Sequence, residues 1–505
     1  MGTSTFKLYT IEGIDYDAVI SKYRELCEQG EKEIDINSIS VYGGDVGYIQ
    51  VRKPRKPLND ENKILNKAKY LIHTISYRQL TNKDNDGAYL QYAILQSVIG
   101  KDVYELLKAL KDLGYIHINY QYTIGKHSMT YKVIGNITST ECTNYTLKKY
   151  IDKTKQLLKD AVLERLSSEQ FKKEYGDSFG NTYIKNLNLF KIKDIKGFND
   201  YIKNEIELNP NKESYYNFIK ESFNSDKTIY RIDGNNRIYH LLTSLERELK
   251  AFINIRYSID CKNSHPVLFN YFIFNYKGID TNTSYLITST LYSIDHSLIS
   301  SNNHYDIKKL CNILIDNKVD KSIITMFAPD ELLYIWKTTT GRFWDDILTE
   351  HQGDGYNRSE IKQKMFAEVF YSKTPKIAWK KFAKEFKSQY PNVYGLIQRW
   401  KEPLKYDDLK ECLLTRKKAV QLNDITLMSN QETALPNIMM DLESEIFREV
   451  LKSLYRKRVS AIHIHDAIVI PQTRADVDVE QVVVVMRDVY KKFGLHPTFS
   501  TDIYE

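Results

Sequence analysis

Apolar and polar residues alternate around an abrupt polar pair in the segment Ser460–Pro471, which predicts a β-hairpin. In the first arm Ile462 and Ile464 share one face, and His463 and His465 take the other. The pair His465-Asp466 then occupies the turn between the two apolar arms. A carboxylate held by two strands suits a metal ligand. The alternative is an ordinary hairpin whose aspartate merely suits a turn.

The hydrophobic pattern of residues 66–135 predicts two helices followed by a second hairpin. The first predicted helix covers Ala88–Val98 and is broken at Gly100. The second covers Val103–Leu113, is capped by Asp102 and ends at Gly114. The predicted strands cover Tyr115–Tyr122 and Ser128–Ile134 and are joined by a turn at Ile124–His127. This order resembles a winged-helix domain, in which the second helix enters a DNA groove. Winged helices also serve as protein-binding modules, so that alternative stays open.

Four regions are predicted along the chain. The first region, residues 1–65, is a small α/β segment with a helix at Tyr16–Glu28 and possible strands at Ser38–Tyr42 and Gly47–Val51. Residues 66–137 form the winged-helix-like domain, and residues 138–226 form a charged, helical, thumb-like region. Residues 227–505 form an α+β region. The basic run Arg52–Pro57 is either a polar linker or a strip that contacts phosphates. A helix over Val477–Phe493 and a last strand over Thr498–Ile503 end the chain.

Composition is that of a folded protein of several domains. The 505 residues are 42% hydrophobic and 27% charged, with a formal net charge of +7 and 38 tyrosines. This mild excess of positive charge is compatible with a nucleic-acid partner. Five scattered cysteines argue against a zinc knuckle or a disulfide framework, and no apolar run has membrane-spanning length. We therefore expect a cytoplasmic protein without a membrane partner.

A second acidic residue ends another predicted strand. Tyr257-Ser-Ile-Asp260 is followed by the polar run Cys-Lys-Asn-Ser-His265-Pro. Carboxylates at the ends of two strands, Asp260 and Asp466, can hold two divalent cations that clamp the oxygens of a phosphoryl transfer. Mg²⁺ is the expected ion, with Mn²⁺ as the alternative.

Two further motifs carry positive charge and rings. Arg358, Lys362, Phe366 and Phe370 recur every four residues, so on a helix they share one face that suits a nucleoside triphosphate. The plainer interpretation is an amphipathic helix with core phenylalanines. Upstream, Arg237 and Tyr239 form an Arg-x-Tyr motif that can contact a nucleic-acid strand.

The order of these motifs resembles the palm and fingers of A-family DNA polymerases and of single-subunit RNA polymerases. The resemblance covers roughly residues 226–505, with fingers over about 271–435. It implies a right-hand polymerase with palm, fingers and a thumb-like arm. It also implies that Asp260 and Asp466 are catalytic metal ligands, that Lys362 protonates or stabilises the leaving group, and that Arg358, Phe366 and Phe370 bind the incoming nucleotide. Arg237, Tyr239 and His465 would contact primer and template.

The sequence departs from both families near the expected sugar. His265 stands where the DNA polymerases place a bulky Glu and the RNA polymerases a small residue. Phe370 replaces a usual Tyr, and Tyr371 replaces a usual Gly. These changes favour deoxynucleotides, whereas the Arg237-x-Tyr239 motif is closer to the RNA polymerases.

We therefore expect a DNA polymerase of A-family type that adds dNTPs to a 3′-hydroxyl and lacks a proofreading exonuclease, and the sequence leaves open whether it serves replication, repair, a mobile element or defence. Three alternatives remain at this stage. The first is a single-subunit RNA polymerase or primase, and the second is a non-catalytic DNA-binding initiator that uses the winged helix. The third is a metal hydrolase built on His463, His465 and Asp466.

Overall fold

The computed structural model describes most of the chain in twelve stretches. These are residues 5–29, 54–80, 87–90, 92–119, 130–224, 229–232, 237–301, 304–351, 354–371, 380–400, 434–474 and 477–504. The possible strands at Ser38–Tyr42 and Gly47–Val51 and the turn at Ile124–His127 lie outside them.

The chain forms two compact units. The first comprises Met1–Ile184 and Lys191–Ile253, and the second comprises Lys185–Phe190 and Asn254–Glu505. The predicted mixture of helices and strands and the presence of more than one unit are confirmed. The four-part division and the right-hand architecture stay predictions. Among the described helices, none has the length and the apolar character needed to cross a membrane.

Helices predominate in the part of the chain up to Ile253. The helices are α1 (Tyr16–Gln29), α2 (Glu61–Leu80), α3 (Tyr92–Ile99), α4 (Val103–Asp112), α5 (Tyr145–Ser167), α6 (Glu169–Tyr175), α7 (Phe179–Leu187, which runs into the residues of the second unit), α8 (Ile195–Leu208) and α9 (Glu213–Asn224). The strands are β1 (Phe6–Ile11), β2 (Ala88–Tyr89), β3 (Ile116–Asn119), β4 (Thr130–Val133), β5 (Ile137–Cys142), β6 (Ile229–Ile232) and β7 (Ile238–His240). The predicted first helix is confirmed. Helices α5 to α9 lie within the region 138–226 that was predicted to be helical, but the first residues of this region belong to β5.

The winged-helix-like region has the order helix, strand, helix, helix, strand, strand. Strands β2, β4 and β3 form an antiparallel sheet in that spatial order. The predicted helix over Ala88–Val98 is wrong at its start, because Ala88 and Tyr89 pair with β4 and the helix begins at Tyr92. Gly114 ends α4 with a φ of +76°, a conformation that glycine adopts without a steric penalty.

Helix α4, predicted to enter a DNA groove, is largely a core helix. Its residues Leu106, Ala109 and Leu110 are fully buried, and α1 packs against it. This helix therefore lacks the broad exposed face that insertion into a groove requires. The predicted DNA contact through this helix is not supported by its burial.

A buried charge network joins α1, α2 and α4 and corrects two further predictions. Asp102 makes no helix-capping bond. Its carboxylate accepts hydrogen bonds from the Tyr23 hydroxyl at 2.7 Å and from Arg55 Nη2 at 2.8 Å, and it pairs with Lys67. Arg55 also pairs with Glu105 at 2.8 Å. A buried carboxylate needs such partners, so Asp102 points inward and the Arg55 guanidinium is paired within the fold and is not a free phosphate contact.

The second unit contains a four-stranded antiparallel sheet. Its strands are β8 (Ile255–Cys261), β11 (Ile462–Ile464), β12 (Ala467–Pro471) and β13 (Phe499–Ile503), in the spatial order β11-β12-β8-β13. The predicted hairpin and the predicted last strand are thus confirmed. A two-stranded ribbon pairs β9 (Ser300–Ser301) with β10 (His304–Tyr305).

The described part of the second unit also contains twelve α-helices. They are α10 (Ser264–Tyr276), α11 (Thr281–Tyr292), α12 (His296–Ile299), α13 (Ile307–Asp316), α14 (Lys321–Ile324), α15 (Pro329–Thr339), α16 (Phe343–Glu350), α17 (Arg358–Met365), α18 (Lys381–Gln389), α19 (Pro391–Arg399), α20 (Ala434–Arg456) and α21 (Val479–Lys491). Helix α21 matches the helix predicted near the C-terminus, and it packs on α20 and β8.

Candidate active site

Two aspartates meet where the central strand of the sheet ends. Asp260 lies on β8 directly opposite Ala467, the residue after Asp466. The Cys261 backbone N–H donates to the Asp466 carbonyl at 3.2 Å, which fixes the turn to the end of β8. Both carboxylates are half-buried. The sheet register therefore brings together the two acids that the sequence placed on separate strands.

The turns next to these acids contain residues with unusual backbone conformations. His465, the first of the two turn residues, has a φ of +54°, and Asn263, between β8 and α10, has a φ of +58°. Only a small share of non-glycine residues adopt the left-handed region, in which Asn and His are enriched. The strained turn leaves the His465 side chain exposed beside Asp466.

Burial and neighbouring negative charges raise the pKa of both acids. Burial, the charge of Asp466 and a hydrogen bond between the two carboxyl groups raise the pKa of Asp260 to about 8. Burial and the carboxylate of Glu443 raise the pKa of Asp466, while His265 and Lys362 act in the opposite direction. Two acids that repel one another in a half-buried place suit a cation between them.

Lys362 belongs to the same electrostatic site. Burial and the charge of Arg358 lower its pKa, and the charges of Asp466 and Asp260 oppose that shift. Its Nζ lies 5.9 Å from the centroid of the Trp344 ring. Lys362 is therefore a partly desolvated cation next to the two acids, which suits contact with a triphosphate.

Arg358 is the first residue of α17. Asn357 caps this helix by accepting hydrogen bonds from the backbone N–H groups of Ser359 and Glu360, and Glu360 bonds back to the Asn357 N–H. The exposed Arg358 guanidinium donates to Asp345 at 3.0 Å. It remains accessible to a phosphate at the end of the helix.

A π-helical turn over Phe366–Phe370 follows α17 and changes the predicted aromatic face. The Tyr371 N–H donates to the Phe366 carbonyl at 2.7 Å, a bond over five residues instead of four. Phe366 therefore stacks on Tyr371, with ring centroids 5.0 Å apart and planes 13° apart. Phe370 is fully buried between Phe269 and Phe386. The π turn places the Phe370 ring in the core, so its burial does not support the predicted nucleotide contact, which stays a prediction.

His265 lies at the meeting point of the acids and the rings. Its Nδ1 bonds to the Tyr371 hydroxyl, and its Nε2 lies 3.3 Å from a carboxylate oxygen of Glu443. Its ring packs edge-on against Phe366, with centroids 5.8 Å apart. Contacts at both ring nitrogens therefore hold His265, the residue predicted to crowd the sugar.

Glu443 was missed at the sequence level. It is buried on α20 and accepts a hydrogen bond from the Ser264 hydroxyl at 3.0 Å. Its helical neighbours Met439, Ile446 and Phe447 are all buried. An acid in the middle of an apolar stripe was the available signal.

Cys261, the residue after Asp260, is buried. Burial raises the pKa of its thiol, which shares a hydrogen bond with the Tyr490 side chain. Asp502 on β13 adds negative charge near Asp260.

Arg237 and Tyr239 belong to the first unit, Tyr239 on β7 and Arg237 immediately before it. Both are partly exposed. Their predicted contact with nucleic acid stays a prediction, as does the primer contact of His465.

Asp260 and Asp466 supply carboxylate oxygens, the ligand type that Mg²⁺ prefers. Within the described residues, no group of three or more His, Cys, Asp and Glu side chains is arranged around a common metal position. No protein-family model and no curated protein matches this sequence.

Proposed function

We propose that the second unit catalyses nucleotidyl transfer as a DNA polymerase of right-hand type, adding dNTPs to the 3′-hydroxyl of a primer. The observation that carries this proposal is the meeting of Asp260 and Asp466 across β8 and β12, with Lys362 in their electrostatic field. The four-stranded sheet of β11, β12, β8 and β13 would be the palm, and α17 with the π turn that follows it would belong to the fingers.

Asp260 and Asp466 would hold Mg²⁺, and the raised pKa values of both acids fit the need for a cation there. When bound, the metal supplies positive charge to the attacking and leaving oxygens. In the reaction, the 3′-hydroxyl gives its proton to solvent, its oxygen bonds to the α-phosphorus and the bond to pyrophosphate breaks. Lys362, whose pKa is lowered by burial and by Arg358, would stabilise the departing phosphates and give them a proton.

Primer extension tests this proposal. Asp260→Asn and Asp466→Asn keep side-chain volume but remove the charge, so each is expected to lower dNTP incorporation at least about 100-fold. Binding of a labelled primer–template, measured by anisotropy, should change little. Asp488→Asn, at an exposed position on α21, is the matched control and should extend like wild type.

Wild-type protein that extends no primer with dNTPs or rNTPs would contradict the assignment. Full incorporation by either site variant would contradict it as well. Incorporation of rNTPs alone would instead favour an RNA polymerase or primase.

A further inference from the structure

The last strand of the second unit, β13, has one edge without a partner strand. The sheet order is β11-β12-β8-β13, so within the described residues β13 pairs with β8 on one side only. The Lys262 N–H donates to the Thr498 carbonyl and the Tyr504 N–H donates to the Arg256 carbonyl, both at 2.9 Å. Hydrogen-bonded pairs alternate with non-hydrogen-bonded pairs along an antiparallel ladder. The even-numbered residues of β13 therefore bond to β8.

The odd-numbered residues of β13 face the open edge. Phe499, Thr501 and Ile503 direct their main-chain N–H and C=O groups away from β8. In the part of the chain that the structure describes, no residue bonds to these groups. A free row of main-chain donors and acceptors is a template for another strand.

Strand β13 lacks three features that keep edge strands apart. It contains no Lys and no Pro, and it pairs with β8 without a bulge. Its one charged residue, Asp502, lies on the face of the sheet that carries Asp260. The Ile503 side chain is 70% exposed. A regular open edge with an exposed apolar side chain is a place where a second strand adds to a sheet.

The sequence of β13 is complementary to itself in one antiparallel register. In this register Thr501 lies opposite Thr501 of a second copy, and Ile503 lies opposite Phe499. Asp502 then lies opposite the uncharged Ser500. Cross-strand pairs of two threonines, and of an aromatic with a β-branched residue, stabilise a sheet. No two like charges face each other.

Other registers lose part of this match. The next registers with aligned main-chain groups are slides of two residues along the strand. One slide places Asp502 opposite Asp502 of the second copy, where the like charges repel. The opposite slide places Ile503 against Pro497, which has no N–H to donate. The strand therefore favours the register centred on Thr501.

We propose that β13 pairs with β13 of a second copy of this chain, which joins the two four-stranded sheets into one continuous sheet. About six main-chain hydrogen bonds form, because each of the three facing pairs exchanges two. Ile503 packs beside Phe499 of the second copy, a ring that lies against Tyr490 with centroids 5.7 Å apart. The contact uses the second unit alone and does not depend on the polymerase function proposed above.

The test is sedimentation velocity of the full chain over a range of concentrations up to about 200 µM. Wild type should change from one chain to two with a Kd in the micromolar range, as expected of a small interface. Ile503→Lys puts a charge in place of the apolar partner of Phe499 at both ends of the contact. It should raise the Kd at least about tenfold.

Thr501→Pro is the second edge variant. It removes the N–H at the centre of the contact but leaves the bonds to β8, because the Thr501 N–H points to the open edge. The Kd should rise at least about tenfold, and circular dichroism during heating checks that the fold is kept. Ile195→Lys is the matched control, because Ile195 on α8 in the first unit is 65% exposed. It should dimerise like wild type.

The possible results decide the proposal in either direction. A wild-type chain that stays monomeric at about 200 µM overturns it and leaves the edge to an extended segment of another protein. A dimer that persists unchanged in folded Ile503→Lys overturns it as well, since the contact then lies elsewhere. An equal loss of dimer in Ile195→Lys and Ile503→Lys would also overturn it. Dimerisation without nucleotide incorporation leaves this proposal standing and overturns only the polymerase function.

Discussion

The placement of Asp260 and Asp466 next to each other has a cost to stability. Each carboxylate is half-buried and faces the other. The negative charge of Asp502 also raises the pKa of Asp260. A fold that needed only stability would place an amide or an apolar residue at one of these positions. The raised pKa of Asp260 measures this unfavourable electrostatic environment.

The repulsion predicts a definite pH dependence for chelator-treated protein. Folded Asp260 keeps its proton up to a pKa of about 8, whereas an unfolded aspartate loses it near pH 4. The folded state therefore binds more protons between these values, and the unfolding free energy falls as pH rises through this window. Asp260→Asn should flatten this dependence and raise the unfolding free energy at pH 8 by at least about 1 kcal/mol.

Urea unfolding at pH 5, 6.5 and 8 in the presence of EDTA measures this difference. The exposed Asp488→Asn variant should keep the wild-type slope. An Asp260→Asn protein that is less stable than wild type at pH 8 would contradict the predicted repulsion.

At the scale of elements, local sequence signals were enough to find the acids but not their surroundings. Alternation and a polar pair predicted β11 and β12, because strand pattern and turn residues act within a few positions. The position of Tyr371 beside Phe366 was not predicted, because a four-residue periodicity in the sequence does not reveal a π turn. Glu443 escaped because an acid on a helix usually faces solvent, and only the packing of α20 shows otherwise.

The π turn predicts that this segment tolerates the loss of one residue. Ala367 is exposed, and its deletion would restore ordinary helical spacing while Phe366 and Tyr371 stay one turn apart. We expect the unfolding temperature to stay within about 3 °C of wild type, equivalent to about 1 kcal/mol. Circular dichroism during heating measures it.

Deletion of the exposed Gln363, within α17, is the matched control. It rotates the buried Ile361 by about 100° relative to Met365 and turns it away from the core. This deletion should lower the unfolding temperature far more than deletion of Ala367. Equal losses in the two variants would argue against a π turn at this place.

At the scale of the whole molecule, each unit has its own polar centre. The first unit buries Asp102 with Tyr23, Arg55 and Lys67. Burial acts to raise the pKa of Asp102, but hydrogen bonds from Lys67 and Tyr23 bring it below the usual value. This network fixes α1, α2 and α4 to one another, and its role is structural.

Asp102→Ala should therefore destabilise the first unit without disturbing the candidate active site. Removing one partner of a buried ion pair costs about 3–5 kcal/mol, because Lys67 and Arg55 lose their counter-charge. Calorimetry of the full chain should show one transition lowered by about 10 °C. Asp112→Ala, at the exposed end of α4, should leave it unchanged.

Nucleotide binding below the unfolding temperature provides the second measurement for this variant. It should equal that of wild type, since Asp260, Lys362 and Asp466 all belong to the second unit. Loss of nucleotide binding in folded Asp102→Ala protein would show that the two polar centres are coupled.

The buried thiol of Cys261, the residue after Asp260, can report when strand β8 separates from its neighbours. Thiol reagents react with a thiolate that solvent can reach. The Cys261 thiol is buried and its pKa is raised, so it does not react while β8 stays paired between β12 and β13. Alkylation at this position therefore requires that the strand separates locally from its neighbours. The rate of modification of Cys261 therefore reports how often the sheet that carries Asp260 and Asp466 opens locally.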